Sequence, residues 1–219
     1  PRWLHEGIAV FVETWMSGGV GNALGNYDEM FFRTRVLENS RIYTAQGLES
    51  EGTTADFMSK ANSYYYGTRF MSYLAHEYDP DRLMEWIKRK DGTKRGFAAN
   101  FKHVFDINIS KAWDNWIQFE KEFQNVNIKS LNESVITEDK RISEKVLGGV
   151  SHAFFDKKRN KIYVAVNYPG KVPHLASLDI STGKIKRLTD IKGPALFNVT
   201  SLAKDAKNDF SFYTTYKRL

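Results

Sequence analysis

The stretch PRWLHEGIAVFVE, residues 1–13, opens the chain and carries Glu6 in the middle of a largely apolar helical pattern. At about 3.6 residues per turn, the apolar side chains predict a core-facing stripe made of Leu4, Ile8, Phe11 and Trp15. Glu6 points the opposite way, where its neighbours are Gly7, Ala9 and Val10 instead of Lys or Ser. A buried carboxylate is costly unless it meets a cation, a metal or strong donors. The pattern therefore predicts an enclosed Glu6 with such a partner.

The composition is that of a globular chain of one or two domains, with 219 residues of which 42% are hydrophobic. The net charge is +6, but the basic clusters at 157–159 and 184–187 carry no interleaved aromatic residues. We interpret them as solvated hairpin faces and expect no nucleic-acid partner. The absence of cysteine excludes disulfides and cysteine zinc sites. No apolar run approaches the about 20 residues of a membrane helix.

Helical periodicity extends to about residue 128. The predicted helices cover 61–78, 81–90 and 111–126. Asp79 is the predicted N-cap of the second, with Pro80 in its first turn, and Ser110 is the predicted cap of the third. The glycine-rich stretch SGGVGNALGNYDEM, residues 17–30, has neither the spacing nor the Gly-Lys-Ser/Thr of a phosphate loop. It predicts a loop that lines a cleft.

The pattern changes after a polar stretch, and we expect a linker over 129–147. Beyond it the period becomes two, and STG at 181–183 predicts a hairpin turn between two strands. The strand-turn-strand unit at 151–166 recurs in 200–215, with Asp205 in the place of Asp156. The separation of the two units along the sequence, together with the repeated turn residues, favours one and a half blades of a β-propeller over 148–219. An ordinary antiparallel sheet is the alternative.

The predicted fold class is therefore α+β and multi-domain: a helical subdomain at 1–128, the linker at 129–147, and propeller blades from 148. A propeller closes with about four or more blades, so we expect the chain to be an incomplete fragment of a longer protein.

The opening motif resembles the second zinc motif of the gluzincin metallopeptidases, which reads Trp-Leu-Asn-Glu-Gly-Phe-Ala in the aminopeptidase-N branch. The residues that match it are Trp3, Leu4, Glu6, Gly7 and Ala9, and Glu13 matches a glutamate often found at its end. His5 and Ile8 depart from that pattern. The resemblance implies that Glu6 is a protein ligand to zinc, and that Gly7 and Ala9 let a neighbouring helix approach. A buried ion pair of Glu6 with Arg or Lys is the alternative.

The segment SYYYGTRFMSYL, residues 63–74, resembles the Tyr-x-x-Gly segment downstream of the zinc motifs in the same branch. Aligning Gly67 with its glycine implies that Tyr64 is the catalytic tyrosine, whose hydroxyl donates to the oxyanion of the tetrahedral intermediate. Tyr66 is the rival for this role. A third possibility is that the tyrosines only pack in the core.

The His-Glu-x-x-His helix of that family is not present in the sequence. We expect its two histidine ligands upstream of Pro1, unless the ancestor lost them. His5 points about 100° away from Glu6 on a helix, which favours a role in the cleft over metal binding. The other histidines are interpreted as surface or loop residues, and they are His76, His103, His152 and His174.

The resemblance implies a zinc-dependent peptidase acting on peptides or proteins, with this fragment alone inactive. The stretch HLASLDISTGKIKRLTD, residues 174–190, is typical of TolB-like propeller repeats, which would present substrate or bind a protein partner. The combination of a peptidase-like part with TolB-like repeats implies an exported bacterial protein, periplasmic or on the cell surface. The alternatives are a non-catalytic binding or assembly module with a degenerate peptidase fold, and an unrelated helical-plus-β binding protein.

Overall fold

A computed structural model of the protein describes residues 1–49, 59–145, 147–168, 170–191, 202–205, 207 and 210–213. The chain divides into two compact units, Pro1–Ile136 and Thr137–Leu219. The first consists of helices and loops and the second of antiparallel strands, so the fold class is α+β. The predicted change from helix to strand is confirmed for the described residues.

The helical unit contains seven α-helices among its described residues. They are α1 (Arg2–Met16), α2 (Asn26–Leu37), α3 (Ala45–Glu49), α4 (Ser59–Tyr78), α5 (Pro80–Ile87), α6 (Phe97–Phe105) and α7 (Ile109–Asn132), and a 3₁₀-helix covers Asn22–Leu24. Helix α7 continues past residue 128, so the first residues of the predicted linker are helical. The boundary between the two units lies after Ile136.

Several helix ends differ from the sequence predictions. The Asp79 carboxylate caps α5 as predicted, accepting a hydrogen bond from the Asp81 amide at 2.8 Å. That helix ends at Ile87 instead of continuing to residue 90, because the backbone is extended at Lys88. The N-cap of α7 is Asn108, so the prediction of Ser110 as cap is wrong. The predicted loop at 17–30 is also shorter, since its second half forms the 3₁₀-helix and the start of α2.

Aromatic side chains from α1, α2, α4 and α7 form the core of the helical unit. The rings of Trp3 and Phe70 both pack against Trp113, with centroids 4.8 and 4.7 Å away. Helical spacing in 61–78 predicts one face with Tyr66, Phe70, Tyr73, Leu74 and Glu77; its apolar members are buried, whereas Glu77 is exposed. This core fixes α4 between α1 and α7.

Helices α1 and α4 approach most closely at two glycines, Gly7 and Gly67. A Cβ atom built on Gly7 would lie 2.6 Å from Gly67 Cα, and one built on Gly67 would lie 2.9 Å from Gly7 Cα and collide with the Trp3 carbonyl oxygen. The helices run antiparallel, because Trp3 packs against Phe70 while Val10 shares a cavity wall with Ala61. The two motif segments are thereby held backbone to backbone.

The described residues of the strand unit form two antiparallel sheets. The first consists of β1 (Gly149–Val150), β2 (Phe154–Asp156), β3 (Lys161–Asn167), β4 (His174–Asp179) and β5 (Ile185–Asp190). Strands β1 and β2 both pair with β3, and β4 and β5 follow in a meander. The predicted hairpin turn is confirmed, with Gly183 at φ 66° and the Asp179 carboxylate accepting from the Thr182 amide at 3.0 Å.

A second hairpin pairs β6 (Leu202–Asp205) with β7 (Phe210–Tyr213). Its register opposes Asp205 to Phe210, and the hairpin of β2 and β3 likewise opposes Asp156 to Lys161. In each turn the aspartate Oδ1 accepts a backbone hydrogen bond, from Arg159 in one and Lys207 in the other. The repeated sequence unit therefore forms an antiparallel hairpin twice, with an aspartate at the end of the first strand in each.

Replacing Gly67 with alanine is expected to destabilise the helical unit by about 3 kcal/mol, at the upper end of overpacking costs, because the added methyl meets backbone atoms that cannot rotate away. Gly47→Ala in α3 is the matched control. Its methyl would meet only side-chain atoms of Thr44 and Tyr43, so the helix propensity of alanine leaves stability unchanged within about 1 kcal/mol. Urea unfolding followed by circular dichroism at 222 nm measures both. Equal effects of the two substitutions would contradict the close crossing.

Candidate functional site

Glu6 lies beside the helix crossing and is only partly enclosed. Its side chain is 28% exposed, and Glu6 Oε1 lies 3.6 Å from the Arg2 Nε one turn earlier on α1. The prediction of an enclosed carboxylate is therefore wrong. The ion-pair alternative occurs, but at the surface, where such pairs contribute less than about 1 kcal/mol. This leaves the carboxylate accessible to another cation.

The predicted stripe of α1 packs on the core through Leu4, Ile8 and Phe11, but the most buried face is rotated away from Trp15. The buried residues are Trp3, Leu4, Gly7 and Thr14, whereas Ala9 and Trp15 are exposed. The implied role of Gly7 in helix approach is thus confirmed, and that of Ala9 is wrong. The rotation follows from the crossing, because the helix turns its smallest residue toward the partner backbone.

The three adjacent tyrosines of α4 occupy different environments. Tyr66 is fully buried, its hydroxyl accepts a hydrogen bond from the Tyr43 amide at 3.2 Å, and its ring centroid lies 4.9 Å from that of Phe32. Tyr66 is therefore a core residue. Tyr64 is 38% exposed and lines a cavity, so of the two candidates only Tyr64 presents its side chain to a space that a ligand can enter.

This cavity measures about 320 Å³ and lies between α1, α2, α4 and the loop before α2. Its lining residues are Val10, Asn22, Tyr27, Asp28, Ala61, Tyr64, Tyr65 and Thr68. The prediction that the glycine-rich stretch lines a cleft is confirmed by Asn22, Tyr27 and Asp28. We call this space the tyrosine cavity.

The Thr14 side chain holds the loop in place beside the cavity. Its hydroxyl donates to the Val10 carbonyl oxygen at 2.8 Å and accepts from the Ala23 amide at 3.1 Å. Gly21 lies so close that a Cβ atom there would be 3.0 Å from Thr14 Cα. A glycine is needed at this position because the loop backbone packs directly on α1.

Asp28 is the acidic group of the tyrosine cavity and is 6% exposed. Burial raises the pKa of its carboxyl to about 6; Arg69 acts in the opposite direction, and the carboxylates of Glu120 and Glu29 add to the rise. Burial also raises the pKa of the neighbouring Tyr65 to about 12, helped by Tyr27 and Asp28. A carboxyl with such a pKa exchanges protons near neutral pH, which is typical of functional sites.

A buried ion pair fixes α4 against α7 behind the cavity. Arg69 donates through Nε to Glu120 Oε2 at 3.1 Å and through Nη2 to Glu120 Oε1 at 2.9 Å. Gln124 Nε2 donates to Glu120 Oε1 at 2.8 Å, and Arg69 Nη1 lies 3.8 Å from Glu29 Oε1. Bidentate arginine pairs of this kind set side-chain orientation as well as charge.

Sequence reasoning missed Asp28, Arg69 and Glu120. A signal for Glu120 existed, because it continues the spacing of the buried Trp116 and is followed by Gln124 at the next turn. A charged residue in the line of a core stripe indicates a buried partner. Helical spacing predicts a stripe of Trp113, Trp116, Phe119 and Phe123 on α7, and its last two members lie on a face beside Glu120 and Gln124.

Among the described residues, no group of three or more His, Cys, Asp or Glu side chains could together hold a metal ion. Four histidines are exposed, and His174 is half-buried on β4; the exposed ones are His5, His76, His103 and His152.

No protein-family model, curated protein or solved structure gives a significant match to this chain. In the described part of the chain, every helix is too short or too polar to span a bilayer.

The pKa of Asp28 predicts a pH-dependent stability. The folded protein binds this proton more tightly than the unfolded chain, whose aspartate has the ordinary pKa of 3.8. The contribution of Asp28 to the free energy of unfolding therefore falls as the pH rises from about 4 past 6. Urea unfolding measures the difference in the free energy of unfolding between Asp28→Asn and the wild type. We expect this difference to rise in favour of the variant by about 2 kcal/mol from pH 4.5 to pH 7.5. Asp114→Asn, on the exposed face of α7, is the control. A pH-independent difference for Asp28→Asn would show that its pKa is ordinary.

Proposed function

We propose that this chain is part of a gluzincin-like zinc peptidase, in which Glu6 supplies one zinc ligand and Tyr64 the hydroxyl that stabilises the oxyanion. The observation that carries the proposal is the contact of Gly7 with Gly67. It joins the two segments that resemble peptidase motifs, which are otherwise far apart in the sequence. Glu6 directly precedes Gly7, and Tyr64 lies one turn before Gly67.

The accessibility of both side chains supports the proposal. Glu6 keeps more than a quarter of its surface open, and Tyr64 more than a third. A ligand carboxylate and an oxyanion donor must both reach the substrate space, which a core residue such as Tyr66 cannot do. The antiparallel packing of α1 and α4 places both residues near the same crossing.

The described residues supply only one of the protein ligands that a catalytic zinc ion needs. Catalytic zinc takes three protein ligands, and the described residues contribute Glu6 alone, so the proposal assigns two histidine ligands to sequence upstream of Pro1. When bound, zinc would activate the water that attacks the peptide carbonyl. Glu6 would have to exchange the Arg2 side chain for the metal. Tyr64 would donate its hydroxyl proton in a hydrogen bond to the carbonyl oxygen as negative charge develops there.

The strand unit is proposed to begin a TolB-like β-propeller that presents substrate or binds a protein partner. Two hairpins that place an aspartate at the same register position, each aspartate accepting a backbone hydrogen bond, support this assignment. The proposed protein is exported, periplasmic or on the cell surface of a bacterium, and acts on peptides or proteins.

The second candidate function is a non-catalytic binding or assembly module built on a degenerate peptidase fold. The observation that favours it is the ion pair between Arg2 and Glu6, since a carboxylate that keeps a guanidinium as its partner needs no metal. The two functions differ in whether Glu6 exchanges this arginine for zinc.

Zinc content of the full-length protein separates these functions. We expect stoichiometric zinc in the wild type and a loss of at least half of it in Glu6→Gln, because a neutral amide is a poorer ligand than a carboxylate. Glu13→Gln, an exposed glutamate on the same helix, is the matched control and should keep full zinc. Metal analysis after dialysis measures all three proteins. Equal zinc in both variants, or none in the wild type, would favour the scaffold.

Tyr64→Phe in the full-length protein should lower kcat by about 10²–10³ with zinc content unchanged, because one oxyanion donor is lost while the metal ligands are untouched. KM should change little, since the hydroxyl acts mainly in the transition state. Tyr78→Phe removes a hydroxyl from the same helix away from the cavity and should retain wild-type turnover. Peptide hydrolysis under saturating substrate provides the measurement. Unchanged turnover in Tyr64→Phe would remove Tyr64 from the proposed chemistry.

A further inference from the structure

We propose that the tyrosine cavity binds a primary ammonium group carried on an apolar stem, the chemistry of a lysine side chain or an alkylamine. The proposal rests on Asp28, Thr68 and the tyrosine rings, and it does not depend on zinc or on peptidase activity. Tyr64 is the one residue that both proposals share.

One buried hydroxyl in the cavity wall lacks a partner. Thr68 is 1% exposed, and its hydroxyl has no hydrogen-bond partner among the described residues. Asp28 supplies the carboxyl of the same wall and is 6% exposed, and the Arg69 guanidinium acts on it electrostatically. Both Thr68 and Asp28 line the cavity. A buried polar group without a partner is destabilising, and an ammonium group can donate to a hydroxyl and to a carboxylate through its three N–H groups.

Aromatic rings form much of the remaining wall. Tyr27, Tyr64 and Tyr65 line the cavity, and the ring centroids of Tyr27 and Tyr65 lie 5.4 Å apart. The faces of aromatic rings attract cations. Val10 and Ala61 provide apolar surface for the carbon stem of the ligand. Rings, one carboxylate and an apolar wall together favour an organic cation over a hydrated metal ion.

Among the side chains that the structure describes, none that lines the cavity is a cation. Arg69 on α4 is the nearby positive group, but it is held by two hydrogen bonds to Glu120 on α7 and by Glu29 on α2. Asp28 also faces the neutral hydroxyl of Tyr65, which stays protonated because its pKa is about 12. Ionised Asp28 therefore adds a negative charge that Arg69 does not balance, and a bound ammonium group would balance it.

The cavity volume of about 320 Å³ admits a short alkylammonium but not a folded peptide. The ammonium group can come from a free amine or from a lysine side chain of a larger ligand. The two sources are distinguished with n-butylammonium, which is the bare side chain, and Nα-acetyl-lysine-N-methylamide, which carries the same group on a blocked peptide unit.

The test is a titration of the 219-residue chain, with EDTA present, followed by amide chemical shifts of α2 and α4 in NMR spectra at pH 7.5. We expect both ammonium probes to bind, and n-butanol, of the same size but neutral, to bind at least 10-fold more weakly. Tighter binding of the acetyl-lysine probe identifies a side-chain site, and tighter binding of n-butylammonium identifies a free-amine site. Equal shifts with n-butanol and n-butylammonium would overturn the proposal, because the cavity would then select only for apolar volume.

Two isosteric variants and one control complete the test. Asp28→Asn should weaken n-butylammonium binding at least 10-fold, and Thr68→Val about 3-fold or more, whereas Asp114→Asn should bind as the wild type does. The wild type provides a test that needs no variant: its affinity should fall about 10-fold from pH 7.5 to pH 5, as the ionised fraction of Asp28 falls. Unchanged affinity in Asp28→Asn, or at pH 5, would overturn the assignment of Asp28 as the counter-ion.

Discussion

The close contact between Gly7 and Gly67 is the constraint on which the rest of the helical unit depends. Because neither residue has a side chain, α1 and α4 meet backbone to backbone, and a methyl group at Gly67 would collide with the Trp3 carbonyl oxygen. The contact decides which face of α1 is buried and seats Trp3 against Phe70 and Trp113. Glu6 lies next to this contact in the sequence of α1, and Tyr64 lies one turn before it in α4.

The second fixed element is the pairing of Arg69 with Glu120 behind the tyrosine cavity. A buried pair of this kind contributes little net stability, because desolvation offsets the attraction, but breaking one partner is costly. Its effect here is geometric and electrostatic. It ties α4 to α7 and occupies the arginine nearest Asp28, so the cavity keeps an acidic group that is not neutralised. Arg69 and Glu120 thus act both on the packing of α4 against α7 and on the charge around Asp28.

The sequence predicted well what depends on periodicity and local chemistry. The switch from helix to strand, the Asp79 cap, the turn at 181–183 and the buried face of α4 all follow from spacing and side-chain type. It failed where tertiary contacts decide. The rotation of α1 depends on where α4 lies, and Asp28 becomes buried only when α2 packs beside Tyr65. The pairing of Arg69 with Glu120 joins residues distant in the chain, which no local pattern encodes.

The proposed zinc site requires that Glu6, part-exposed beside the crossing of α1 and α4, exchange its ion pair with Arg2 for the metal. The most direct measurement is a crystal structure of the full-length protein grown with zinc, with anomalous data collected at the zinc edge. The account predicts an anomalous peak about 2.0–2.2 Å from a Glu6 carboxylate oxygen, with the Arg2 side chain displaced. A structure in which Glu6 keeps its ion pair with Arg2, and zinc is absent or bound elsewhere, would contradict it.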